Sequence, residues 1–234
     1  MPKENKKTES TLYVVATPIG NLGDIGERAL NTLREVDYII AEDTRKTGTM
    51  LSSFGIKNSY ISYHSKSNVF SSEKIIDLLL EGKNLALVTD AGTPAISDPG
   101  SKLLKEIRDN HPEINIFTIP GPSAIIASLS VSGAPSNKFT FFGFMPTKKG
   151  KLSTIKEILS TEHTCVFYES PHRIIKTISE IKKEDNTRKI LVSREMTKIY
   201  EEHIYGYPEE VIKELERKTV VKGEITVVVY PRGE

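Results

Sequence analysis

Short apolar segments alternate with segments of helical periodicity along most of this chain, and this alternation limits the folds open to it. Four of the apolar segments lie in the first half, at 12–16, 38–41, 85–88 and 114–119. Each has the length and composition of a buried strand. Between the first two, Ile25, Ala29 and Leu33 recur at helical spacing. Strands that alternate with helices predict an α/β fold, with a mostly parallel sheet and helices on both faces.

The segment Thr89–Gly100 is the feature around which the chain is organised. It follows the predicted strand at 85–88 and holds two aspartates and two prolines. Open α/β sheets bind ligands at the carboxyl ends of their strands, and small residues such as Ala91 and Gly92 let a ligand approach the backbone. An ordinary strand-to-helix connection is shorter, at about 2–6 residues. We therefore interpret this segment as a ligand-binding loop.

Two pairs of residues predict where helices begin. Asp98 and Ser170 are candidate N-caps, because their side chains can accept hydrogen bonds from the first free backbone N–H groups. The prolines that follow them, Pro99 and Pro171, are then expected at the first helical position.

Composition excludes several classes of protein. The chain has 234 residues, 38% of them hydrophobic and 27% charged, as in a soluble globular protein. No apolar segment approaches the ~20 residues of a membrane-spanning helix, so we expect no membrane partner. The single cysteine, Cys165, excludes a disulfide framework and favours a cytoplasmic location. A formal net charge of +1 indicates no general affinity for polyanions.

The sequence predicts a tail and two domains. Residues 1–10 are rich in charged and polar residues and predict a disordered tail. The segment Gly133–Asn137 has the composition of a linker, which predicts an N-terminal α/β domain at 11–132 and a C-terminal α/β domain at 133–234. Within the second domain, the basic segment Lys148–Lys151 is expected to be a solvated surface loop.

Charged residues follow several predicted strands in both halves of the chain. In the first half, Asp43 and Arg45 come directly after the strand at 38–41. In the second half, strands are predicted at 139–144, 164–168, 189–193 and 225–230. Glu169 follows one of these strands, and Glu195 and Lys198 follow the next. Such a concentration of ionisable groups at strand ends is best explained by one cleft between the two domains.

A dinucleotide site is a competing interpretation of the first loop. Glycines at 20, 23 and 26 follow the first strand, and Glu42 and Asp43 lie about 20 residues further on. Their spacing is GxxGxxG rather than GxGxxG, and Asp24 would repel pyrophosphate at the helix N-terminus. The sequence also contains no Walker A lysine motif and no cluster with zinc-ligand spacing.

Several stretches, in this order, resemble the ribosomal RNA methyltransferases of the tetrapyrrole-methylase-like class of S-adenosylmethionine-dependent enzymes. They are 17–25, 41–45, 89–100, 120–124, 168–173 and 194–198. The resemblance runs from about Leu12 to Tyr230. It implies two α/β domains of the tetrapyrrole-methylase type, a homodimer, and S-adenosylmethionine bound in the interdomain cleft. It also implies 2′-O-methylation of a cytidine in the decoding region of 16S ribosomal RNA, with the small ribosomal subunit as partner.

The resemblance also assigns roles to residues. Asp43, Glu169 and Glu195 are candidate general bases, while Arg45 and Lys198 are candidates to stabilise an oxyanion or to hold phosphate. The sequence does not choose among the bases. Donor-binding groups are expected at Thr17, Pro18, Gly20, Asp90, Ala91, Gly92, Thr93, Pro94, Pro120, Ser123 and Tyr168. No metal is expected.

One stretch departs from the resemblance. Where relatives resemble His-x-His-Asn-Glu, this chain reads His64-Ser65-Lys66-Ser67-Asn68, so only the first histidine of the motif remains. Two alternative functions stay open: methylation of a tetrapyrrole (precorrin) or diphthine-type substrate by the same fold, and a non-catalytic nucleotide-binding α/β module.

Overall fold

The computed structural model describes residues 10–64 and 69–233. The chain divides into two compact units, the first ending at Ser123 and the second beginning at Ala124. This division comes before the linker at Gly133–Asn137, where the sequence suggested a boundary. The divergent motif at 64–68, apart from His64, and the tail, apart from Ser10, lie outside the described residues.

The first unit is a parallel sheet with helices between its strands. In chain order it contains β1 (Thr11–Val15), α1 (Glu27–Glu35), β2 (Tyr38–Ala41), α2 (Thr44–Ser52), β3 (Ser59–Ser62), α3 (Val69–Leu80), β4 (Leu85–Leu87), α4 (Gly100–Asn110) and β5 (Asn115–Ile119). The strand order is β3-β2-β4-β1-β5. Every adjacent pair is parallel, which confirms the sequence prediction for this half.

The strands of this sheet are apolar along their length because both faces are covered. Leu85 and Leu87 on β4 belong to one buried cluster, with Leu103 of α4. Ala86 and Val88 point the other way, into a second cluster. The alternation of side chains along a strand therefore feeds two cores, one on each face of the sheet.

The second unit has a mixed sheet, so the predicted parallel arrangement is wrong here. Its elements are α5 (Ala124–Ser132), β6 (Phe139–Phe144), α6 (Lys151–Ser160), β7 (Thr164–Glu169), α7 (Ile174–Glu184), β8 (Ile190–Arg194), β9 (Glu202–Gly206), α8 (Pro208–Glu216) and β10 (Ile225–Val229). The strand order is β6-β7-β10-β8-β9. Among the neighbouring strands that the structure describes in this unit, β6 and β7 form the only parallel pair, because the last strand inserts between β7 and β8 in the opposite direction and β9 forms a hairpin with β8.

Helix α5 belongs to the second unit through its buried face. Ile125 and Leu129 pack against Val166, Leu191 and Val228, which lie on three adjacent strands of the mixed sheet. The sequence grouped this helix with the first half because a glycine-containing turn follows it. Side-chain packing, rather than the position of the turn, decides which unit the helix joins.

Both helices begin later than the sequence predicted, and neither Pro99 nor Pro171 is the first helical residue. Pro99 is the N-cap of α4 rather than its first residue, and the Asp98 carboxylate accepts the N–H of Ala95 at 2.6 Å. Helix α7 begins only at Ile174, and the Ser170 carbonyl accepts the N–H of that residue at 3.1 Å. Both polar side chains nevertheless bond the turn that leads into the helix: the Asp98 carboxylate accepts the N–H of Gly100, and the Ser170 hydroxyl accepts the N–H of His172 at 3.3 Å.

Candidate functional site

Three loops of the first unit meet at the carboxyl edge of its sheet. They follow β1, β4 and β5, which are neighbours in the parallel sheet. Thr17 and Gly92 exchange backbone hydrogen bonds, N to O, of 2.9 and 3.0 Å. The buried hydroxyl of Thr17 donates to the carbonyl of Thr89 at 3.0 Å, and that of Thr93 donates to the carbonyl of Pro122 at 3.2 Å. The loops therefore form one connected surface.

Two glycines allow these loops to approach each other. Gly92 has φ +86, and a Cβ placed there would lie 3.5 Å from Cγ2 of Ile19. A Cβ at Gly121 would lie 3.1 Å from Cβ of Ala16, closer than most real contacts. Gly92 is needed for its left-handed backbone and Gly121 for the close packing of the loops after β1 and β5.

The structure brings together most of the donor-binding residues that the sequence predicted. All except Tyr168 lie in these three loops, and Gly20, Ala91 and Pro120 are exposed at the rim. Rigid loops with small exposed residues fit a ligand that combines a nucleoside with an amino acid, because backbone groups can contact it closely. Tyr168 lies on β7 in the second unit, where its ring centroid is 5.0 Å from that of Phe141.

Backbone strain is concentrated in two loops. Among the residues that the structure describes, the non-glycine residues with a positive φ are Ala95, Ser97, Glu195 and Thr197. The first two lie in the loop after β4 and the others in the loop after β8. Such conformations cost about 1–3 kcal/mol each and cluster at functional sites, so both loops are candidates.

At the end of β2, Asp43 and Arg45 are already engaged with each other. The Asp43 carboxylate accepts the backbone N–H of Arg45 at 3.0 Å, as the N-cap of α2, and lies 3.3 Å from its guanidinium. The side-chain hydrogen bond from Arg45 lowers the pKa of Asp43. Asp90 accepts the N–H of Asp43 at 3.2 Å and pairs with Lys46 at 2.6 Å. This edge of the sheet is an ordered network of charges.

Glu42 is not among the candidate general bases that the sequence predicts. Burial raises its pKa, and the nearby charges of Asp90 and Asp98 raise it further. Burial also raises the pKa of Asp98. Glu42 and Asp98 line a cavity of about 10 Å³, roughly the space of one water molecule. The available signal was the position of Glu42 directly after the apolar strand β2, of which all residues but Tyr38 are buried.

Glu169 is buried and its carboxylate is fully used within the second unit. It accepts the N–H of Ser170 at 2.6 Å and the hydroxyl of Thr177 at 2.5 Å, and it pairs with Arg173 at 2.6 Å. These contacts fix the turn between β7 and α7. The residue therefore holds this turn in place rather than offering a free carboxylate to a substrate.

Lys198 lies in the loop after β8, and its ammonium is held between two carboxylates. Its ammonium lies 2.8 Å from Glu195 and 3.0 Å from Glu224. The hydrogen bond from Lys198 lowers the pKa of Glu195. Burial opposes the charge of Lys198, but its bonds to the two carboxylates outweigh that effect and raise its pKa. Glu195 packs over Gly223, where an added Cβ would come within 2.3 Å of its side chain.

A chain of hydrogen bonds connects this loop to the interior of the second unit. Buried Ser128 and Ser193 lie 3.1 Å apart through their hydroxyls, and Ser193 lies 3.0 Å from Nδ1 of His203. Nε2 of His203 lies 3.0 Å from Glu201, whose other oxygen accepts the N–H of Thr197 at 2.7 Å. The loop that carries Lys198 is thus held on both sides.

The basic segment at 148–151 is only partly the solvated loop that composition suggested. Lys148 and Lys149 are exposed. Lys151 is buried at the start of α6 and pairs with Glu180 at 3.1 Å, so the prediction is wrong for this residue. The reason is a partner 29 positions away on α7, which the sequence does not reveal.

Comparison with known proteins identifies the class. The family model for "Tetrapyrrole (Corrin/Porphyrin) Methylases" matches residues 11–214, and the chain belongs to this family. Its members use S-adenosylmethionine as methyl donor. Two solved structures share the fold at low identity: a cobalt precorrin-4 methyltransferase (TM-score 0.68, 14% identical, 98% of both chains) and the methyltransferase CobJ (TM-score 0.69, 16% identical, 95% of this chain and 94% of the other).

Closer similarity is found to a particular group of curated proteins. Ribosomal RNA small subunit methyltransferase I of Thermotoga maritima is 43% identical over 217 residues, covering 93% of this chain and 96% of that protein. The protein of the same name from Vibrio cholerae is 42% identical over 223 residues, covering 94% and 76%. The solved structures, being less than a quarter identical, support the fold alone.

Proposed function

We propose that this chain transfers a methyl group from S-adenosylmethionine to the ribose 2′-hydroxyl of a cytidine in the decoding region of 16S ribosomal RNA. The observation that carries this proposal is the 43% identity to a ribosomal RNA small subunit methyltransferase I over 93% of the chain. The connected loops of the first unit support it, because they offer a donor site in the position typical of an α/β sheet.

The donor-binding residues are proposed to be those of the three loops, and Tyr168 stays a separate donor-binding candidate in the second unit. S-adenosylmethionine, when bound, supplies a methyl group that its sulfonium has already activated. The chain's own task is positional, since holding the two reactants in line contributes about 7–11 kcal/mol. The Thr17–Gly92 bridge and the Thr93–Pro122 hydrogen bond keep the loops in one geometry, so little order has to be imposed on them at binding.

The contacts divide the candidate catalytic residues into separate roles. The lowered pKa values of Asp43 and Glu195 make them weak bases at neutral pH. We assign Asp43 to the placement of Arg45, and Glu195 to the placement of Lys198. Lys198 remains a cation and can stabilise a developing alkoxide or contact a phosphate.

Glu169 and Glu42 have different roles in this proposal. Glu169 holds the turn after β7, because its oxygens are bonded to neighbouring residues. Glu42 is the proposed proton acceptor, because its pKa is raised towards the range in which a general base works well. The 90% exposed side chain of Arg45 is proposed to contact a phosphate of the RNA.

A homodimer and a cytoplasmic location complete the proposal. Exposed apolar side chains, among them Phe117, Ile126 and Val131, supply surface that a second copy could cover. Within 10–64 and 69–233, no helix combines the length and the apolar character needed to cross a membrane. Light scattering of the purified protein tests the dimer, and a monomer at micromolar concentration would contradict it.

The function is tested by supplying purified protein with S-adenosylmethionine and one of several acceptors. Small ribosomal subunits should lead to S-adenosylhomocysteine in an amount equal to the methyl groups incorporated. A precorrin or a diphthine-type intermediate as acceptor should give none. Turnover with these acceptors alone would indicate the alternative methyltransferase, and donor binding without turnover on any of them would indicate a binding module.

A further inference from the structure

The second unit contains a groove that none of the roles above uses. It lies between the start of α6 and one side of α7, and has a volume of about 520 Å³. Five of its lining residues are cations: Lys148, Lys151, Arg173, Lys176 and Lys183. Only two lining residues, Glu180 and Glu184, are acidic. We call this surface the basic groove.

Two of the five cations are neutralised within the unit. Lys151 pairs with Glu180 at 3.1 Å, and Arg173 pairs with buried Glu169 at 2.6 Å. Glu184 is engaged by Lys156, at 3.8 Å on the α6 side.

Among the described residues, the other three cations pair with no carboxylate. Across the described part of the chain, Lys148, Lys176 and Lys183 form no ion pair, and all three are exposed. The groove is therefore an electropositive surface on a protein whose overall charge is only +1.

The N-terminus of α6 adds partial positive charge at the same place. Its N-cap, Gly150, has φ +91 and no side chain to accept the first helical N–H groups. Lys151 and Leu152, the first two helical residues, line the groove. The N–H of Lys151 already donates to the Lys148 carbonyl at 3.4 Å, so it is the helix dipole that favours an anion at this end.

Arg173 provides an independent observation. Its Nη2 is bonded to Glu169, while its Nη1 is buried and finds no hydrogen-bond partner among the described residues. A buried donor left unpaired destabilises the fold. The side chain lines the groove and is about a quarter exposed, at 24%, so this incompletely paired cation adds positive charge to the groove wall.

We propose that the basic groove binds phosphodiesters of the substrate RNA backbone, as a contact additional to the donor loops and the loop of Lys198. This inference rests on the proposed function. The groove volume is that of a site for a nucleotide-sized ligand rather than for a single inorganic ion. Exposed lysines act as point charges and read no base, so the contact orients RNA without selecting its sequence.

The test neutralises two groove lysines and compares them with two lysines elsewhere. The variant is Lys176→Gln with Lys183→Gln, since both side chains are exposed and unpaired and their loss should not disturb the fold. The control is Lys182→Gln with Lys213→Gln, an equal charge change at residues that pair with Glu209 at 3.3 and 3.1 Å. Circular dichroism and the S-adenosylmethionine affinity should match wild type in both.

We expect the groove variant to raise the KM for small ribosomal subunits at least 10-fold with kcat nearly unchanged. Its affinity for a single-stranded fragment of 16S RNA should also depend less on salt, with the slope of log K against log salt reduced by about 1.4, or 0.7 for each lost phosphate contact. The control should change neither quantity. An unchanged KM and slope in the groove variant would overturn the inference.

Two further outcomes separate the possible explanations. In the first, inorganic phosphate protects the groove lysines from acylation, while the variant leaves the slope of log K against log salt for RNA unchanged. The groove would then hold a free anion, and the inference would be wrong. A reduced RNA slope in a protein that methylates no ribosomal subunit would support the groove and reject the proposed function instead.

Discussion

Replacement of Thr17 by valine tests whether the connected loops of the first unit form the donor site. Thr17 is fully buried, at 0% exposure, and its hydroxyl donates to the carbonyl of Thr89 at 3.0 Å. Valine has nearly the same shape, so no cavity opens. The change removes one buried hydrogen bond and leaves the Thr89 carbonyl unpaired, which costs about 1–3 kcal/mol.

Part of that cost should appear in ligand binding. If about 1 kcal/mol of it falls on the ordering of the loops, the Kd for S-adenosylmethionine should rise roughly fivefold, because 1.4 kcal/mol is a factor of ten. Calorimetric titration gives the Kd, and chemical denaturation gives the free energy of unfolding.

Thr164→Val is the matched control for this experiment. Thr164 is also 0% exposed and its hydroxyl donates to a backbone carbonyl, that of Pro135 at 2.5 Å, but it lies in the second unit, at the start of β7, whereas Glu169 lies at the end of that strand. We expect it to lose similar stability without a change in Kd. Equal Kd values for wild type, Thr17→Val and Thr164→Val would refute a donor site at these loops.

Three further predictions concern single residues. Lys198→Ala should lower kcat and kcat/KM together by at least ~10²-fold in single-turnover methylation of subunits, with donor affinity unchanged; a near-normal rate would leave Lys198 as a surface ion pair. Glu42 as a base is active when deprotonated, so kcat/KM should rise with pH through its raised pKa, and Glu42→Gln should abolish that rise; an identical profile would exclude it. Gly92→Val should weaken donor binding and lower the melting temperature, since φ +86 is strained for a branched residue, while Gly92→Ala should do so less; unchanged melting would contradict this.

The fold was predictable from sequence where strands are parallel and consecutive helices cover them. Leu85 and Ala86 in β4 mark a strand buried on both faces, and the first sheet follows from such segments. The second sheet was not predictable in the same way, because Ile225–Val229 reads as a strand but nothing local shows that it inserts between β7 and β8. Strand order depends on contacts between distant segments.

The positions of the candidate loops were predictable to a similar degree, while their role as a donor site stays a prediction. Loops that follow strands could be recognised, and the structure joins two of them through the backbone hydrogen bonds of Thr17 and Gly92. The ion-pair partners and pKa shifts of individual charged side chains could not be predicted, because they depend on residues far along the chain. Lys198 shares its ammonium with Glu224, and the raised pKa of Glu42 comes from burial at the edge of a folded sheet.

The most direct test of the account is mass mapping of 16S ribosomal RNA after incubation of unmethylated small subunits with the protein and isotopically labelled S-adenosylmethionine. We expect the label on the ribose of one cytidine in the decoding region, as 2′-O-methylcytidine, and we expect it to be lost with Lys198→Ala. Label on a base instead of a ribose, on RNA outside the decoding region, or on no RNA at all would contradict the proposed function.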